Sequence, residues 1–74
     1  MKANAALREI IHQQRISISA LALKIGKSPR LISDRLSQKN ISIEKLNELL
    51  QVLDYKIVIV PRSYTAKSGE YEVE

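Results

Sequence analysis

The stretch Ser17-Ile-Ser-Ala-Leu-Ala-Leu-Lys-Ile-Gly-Lys-Ser-Pro-Arg-Leu-Ile-Ser-Asp-Arg-Leu-Ser37 leaves its backbone few choices. Ser17 suits the N-cap of a helix whose inward positions are Leu21, Ala22 and Ile25. Gly26 ends that helix, because glycine accepts the left-handed backbone of a C-terminal cap without steric cost. Ser28 caps a second helix and Pro29 occupies its first turn, where a missing N–H costs nothing. Only Lys27 and Ser28 lie between Gly26 and Pro29, so the second helix must leave at a steep angle. The pattern is a helix-turn-helix.

The rest of the chain adds helices around this pair. A first helix is predicted over Ala3–Gln14, with Leu7, Ile10 and Ile11 on one face and Ala3 or Ala6 able to join them. The third helix runs from Pro29 to Ser37 with Ile32 and Leu36 inward. Arg30, Asp34 and Ser37 fall on its opposite side and Ser33 beside them; Leu31, on the flank, can complete the core or meet a thymine methyl. Gln38-Lys39-Asn40 reads as a polar loop. Ser42 caps a fourth helix whose stripe Ile43, Leu46, Leu49, Leu50 and Leu53 belongs to the core, being too short for a coiled coil.

Tyr55-Lys-Ile-Val-Ile-Val60 differs in kind. It is β-branched and aromatic, and Pro61 stops it, so it reads as a strand. Its partner is either Glu70–Val73 returning as a hairpin or the same strand of a second subunit, which would bury Ile57 and Ile59, or Val58 and Val60. The intersubunit pairing is preferred, giving dimerisation residues Tyr55, Ile57, Val58, Ile59 and Val60. Residues 63–74 are polar and end in alternating glutamates, which predicts a flexible tail after a domain spanning residues 1–62.

Seventy-four residues bury only a small core, and the chain has no cysteine and a single histidine. Disulfides and a thiolate metal site are therefore excluded, and association with another chain is the stabilising device left. His12 reads as a solvated or helix-terminal side chain, without Cys, Asp or Ser partners around it. No apolar run approaches the roughly 18 residues of a membrane span, and no secretory pattern precedes the first helix, which suggests a cytoplasmic protein. All twelve Lys and Arg residues lie within residues 1–67, against the acids Glu9, Asp34, Glu44, Glu48 and Asp54. That imbalance suits a polyanionic partner, although a basic soluble surface would have the same composition. No nucleophile motif, phosphate loop or paired carboxylate is present, so a binding protein is expected, not an enzyme, and no cofactor is implied.

The residues Leu21, Ala22, Ile25, Gly26 and Ile32, continued by Leu46, Leu49, Leu50 and Leu53, resemble the Xre-like or lambda-repressor-like helix-turn-helix regulators over about residues 5–55. In that family the alanine four before the glycine is small because two helices cross there. The aliphatic residue six after the glycine anchors the recognition helix. The resemblance implies a mainly α, four-helix domain that binds double-stranded DNA as a homodimeric transcriptional regulator, most simply a repressor. Two departures stand out: Arg35 lies where an apolar residue is common, and Asp34 falls at a position facing DNA.

On that reading Arg30 and Ser33 are candidates for base edges. Asp34 either accepts from a cytosine amine or orients Arg30 or Arg35. Lys27, Ser28, Arg35, Lys39 and Asn40 are candidates for phosphate, with the N–H groups opening the third helix favouring an anion as well. Lys24 is ambiguous between phosphate and solvent. The layout of four helices, strand and tail is similar to that of the HipB-type antitoxins. The alternative function is therefore a protein-interaction module, an antitoxin holding a toxin or a small phage-encoded inhibitor.

Overall fold

A computed structural model describes residues 1–74. Four helices follow one another: α1 (Ala3–Gln14), α2 (Ile18–Ile25), α3 (Pro29–Ser37) and α4 (Ile43–Val52). Their boundaries follow the capping chemistry of the sequence. Ser17, Ser28 and Ser42 each accept a hydrogen bond from the backbone N–H three residues on, at 3.0, 3.2 and 3.3 Å. α1, α2 and α4 end in the same way, on a left-handed residue followed by a six-to-one backbone bond. At α2 the left-handed residue is Gly26, with Lys27 N–H donating to the Ala22 carbonyl. At α1 and α4 it is Arg15 (φ 53°) and Asp54 (φ 64°), so two helices stop without glycine.

The apolar faces converge on one core. Leu7, Leu21, Ile32, Leu36, Leu49 and Leu53 are its largest fully buried side chains. Ala22 is buried too and keeps α2 close to its neighbours. Leu31 is half-buried, which favours its packing role. Ile43, expected in the core, is instead 73 % exposed. It is the first residue of α4, and its side chain projects before the helix reaches the packed layer. Gln14 Nε2 donates to the Leu53 carbonyl at 2.7 Å and ties the end of α1 to the end of α4.

The expected strand over residues 55–60 is not formed within the chain. A strand is defined by its ladder. Here neither the segment Glu70–Val73 nor any other pairs with it, so the hairpin alternative falls. The segment runs without regular structure and leaves Ile57, Val58, Ile59 and Val60 exposed, Ile59 to 99 %. Residues 63–74 turn back on the body. Tyr64 Oη and the Lys67 N–H both donate to Glu70 Oε1 (2.7 and 2.8 Å), and the Tyr71 ring lies 6.3 Å from that of Tyr55, tilted by 49°. Both rings pack against the core, and the Glu74 N–H donates to the Met1 carbonyl at 2.9 Å.

Candidate nucleic-acid interface

The turn, α3 and the loop beyond it expose Lys27, Arg30 and Lys39 together with the acid Asp34. Ile32 and Leu36 anchor α3 in the core, which turns Arg30, Ser33, Asp34 and Ser37 to solvent. Lys27 and Ser28 at its start, and Lys39 and Asn40 beyond its end, are exposed as well. Arg30, in the first turn, and Ser33, one turn on, therefore share an accessible surface flanked by lysines at both ends. Ser28 Oγ serves as the helix cap and can still donate its own proton outward. Ser37 spends its hydroxyl proton on the Ser33 carbonyl at 3.1 Å, so it offers a partner only an acceptor.

Two expected roles change. Asp34 pairs with neither Arg30 nor Arg35, so the orienting alternative is not realised and its carboxylate stands free. Arg35, expected to reach phosphate, is drawn inward: it is only 8 % exposed and forms an ion pair with Glu48 of α4. A buried guanidinium without a counter-ion is costly, so this pairing removes Arg35 from the surface. Its Nε remains buried without an acceptor.

Three residues that the sequence did not single out hold α3 in place. Asn4 Nδ2 and Arg8 Nη2 of α1 both donate to the Leu36 carbonyl at 3.2 Å, satisfying an end of α3 that has no glycine cap. Glu48 is the third. The chain thus fastens its exposed helix at both flanks, from α1 and from α4.

The hydrogen bond from Arg35 holds the Glu48 carboxyl below its ordinary value; burial opposes this, while the charges of Arg35 and Lys27 add to it. A depressed folded-state pKa stabilises the fold above the unfolded value, near 4.5, and that stability is lost as pH falls through the folded value. Glu48→Gln should therefore melt below wild type at neutral pH. The difference should narrow as pH drops below about 4.5. Thermal melts from pH 3 to 7 check this, and parallel curves would exclude it.

Residues 5–60 match the family model for helix-turn-helix domains of the Xre and lambda-repressor type, and the chain belongs to that family. It is a family of DNA-binding regulatory domains, generally without enzymatic activity. No curated protein and no solved structure matches the chain. No helix is long and apolar enough to cross a membrane.

Proposed function

We propose that this chain is a homodimeric, sequence-specific repressor that reads double-stranded DNA with α3. The observation that carries the reading is the solvent face of α3, where Arg30 and Ser33 lie between Lys27 and Lys39 on a helix fastened from two sides. Arginine can donate two bonds to guanine and serine suits several base edges, so Arg30 and Ser33 specify sequence. Asp34, unpaired, accepts from a cytosine amine. Lys27, Ser28, Lys39 and Asn40 hold the phosphates on either side and fix the register.

The dimer is supported by the uncovered run Ile57–Val60. Four consecutive apolar residues at the surface, with free backbone groups, suit pairing with the same segment of a second copy about a two-fold axis. Tyr55 contributes from beneath, since its ring already packs on the core and Tyr71. The antitoxin or inhibitor reading draws on other exposed apolar side chains, Leu23 at 84 % and Ile43 at 73 %, which a protein partner could cover.

Duplex affinity measured over a salt series tests the main reading. A dimer with three or more phosphate contacts per subunit should lose about 10³–10⁵ in affinity between roughly 50 and 200 mM salt. Lys39→Ala should weaken operator and scrambled duplex alike and reduce the magnitude of the slope by about one for each phosphate it no longer neutralises. Affinity that barely changes with salt would refute the phosphate contacts.

A further inference from the structure

The tail is built in two parts. Residues 61–70 fold on themselves: the Tyr64 N–H donates to the Pro61 carbonyl at 2.9 Å and the Glu70 N–H to the Lys67 carbonyl at 3.0 Å. Glu70 Oε1 joins the two turns by accepting from both Tyr64 Oη and the Lys67 N–H. Gly69, at φ 86°, supplies the left-handed backbone that the second turn needs. Residues 71–74 dock on the body. The Tyr71 ring meets that of Tyr55, with Glu9 and Gln13 of α1 close to its hydroxyl, and the Glu74 N–H donates to the Met1 carbonyl. Between body and tail, residues 56–60 neither donate nor accept a backbone hydrogen bond. They join two built pieces without fixing how one lies on the other.

We propose that in the dimer the tails are exchanged: residues 71–74 of each copy occupy the seat beside Tyr55, Glu9 and Gln13 of the partner subunit. The inference rests on the dimer reading above. Antiparallel pairing of residues 57–60 about a two-fold axis sets Ile57 opposite the partner's Val60 and Arg62 opposite the partner's Tyr55. The tail that leaves Val60 through Pro61 therefore emerges beside the partner's seat. Its own Tyr55 lies at the far end of the strand, about 16 Å back at roughly 3.3 Å per residue. Exchange keeps the contacts that the tail makes within one chain, because both copies carry the same seat and the same tail. The turns of residues 61–70 travel intact, since their bonds are internal to the tail. The ladder over residues 57–60 is gained in addition. Each Tyr71 then crosses the interface, so the copies cannot part until both tails let go, and the dimer is held by a slow dissociation rate.

The full chain provides two readouts. In a dimer mixed from isotope-labelled and unlabelled copies, an isotope-filtered NOE experiment should show the Tyr71 ring of one copy against the Tyr55 ring and the Gln13 side chain of the other. This readout uses the unmutated chain, so it does not depend on a variant that folds. Subunit exchange between two differently tagged wild-type dimers gives the second. Tyr71→Ala should speed that exchange by roughly tenfold or more, because two aromatic contacts that span the dimer are lost. Tails that stay on their own chain would not hold the copies together, and the exchange rate would ignore the substitution. NOEs between Tyr71 and Tyr55 found only within one chain, or an unchanged exchange rate in folded Tyr71→Ala, would overturn the exchange of tails and leave the strand-paired dimer standing. If the wild type stays monomeric, the dimer reading itself fails and this inference fails with it.

Discussion

Val58→Lys and Ile59→Lys should each turn the dimer into monomers and lower operator affinity by about 10²–10⁴-fold. The two positions alternate along the segment, so the pair tests both faces of a strand paired across subunits. Ile59 is 99 % exposed in the single chain, so a lysine there disturbs nothing inside the subunit, and the melting of the monomer should be preserved. The loss in affinity comes from linkage: a dimer closes its second half-site as an intramolecular event, and a monomer cannot. Sedimentation equilibrium at micromolar concentration separates the cases. A wild type that stays monomeric there would contradict the dimer, whatever the variants do.

Arg30→Ala is the second large effect. The side chain leaves the first turn of α3 on the side opposite Ile32 and Leu36, and no acid holds it back. Removal of a bidentate guanine contact costs about 1–3 kcal/mol per half-site, so a dimer should lose roughly 2–6 kcal/mol on its operator. The signature is selectivity: operator binding falls far more than scrambled binding, and one base pair in each half-site becomes permissive. Equal losses on both duplexes would make Arg30 a phosphate contact and would mean that α3 sits rotated about its axis in the major groove.

Local chemistry was legible in the sequence and long-range chemistry was not. The serine caps at positions 17, 28 and 42, the stop at Gly26 and the proline start of α3 all occur where their backbone preferences place them. The inward face of α3 was legible too, and it carried an unread signal. Arg35 lies three residues after Ile32 and one before Leu36, which is an inward position on a helix. Its buried pairing with Glu48 needed α4 in place before it could be seen. The bonds from Asn4 and Arg8 to Leu36 join residues about thirty positions apart, and nothing in the local pattern announces them. Residues 55–60 have strand composition, but composition supplies no partner, and within one chain the ladder does not form. The return of the tail brings Tyr71 to Tyr55 and the Glu74 N–H to the Met1 carbonyl, long-range contacts that the polar composition of the segment conceals.

On the proposed function, α3 of a dimer recognises duplex DNA by sequence. Selection from a random duplex pool with the full chain, followed by sequencing of the bound fraction, decides whether it does. The expected result is an enriched site made of two inverted half-sites, centred about one helical turn apart or a multiple of it, with a guanine in each half that disappears from the consensus in Arg30→Ala. A pool that emerges unenriched, while the chain is folded and soluble, would contradict it.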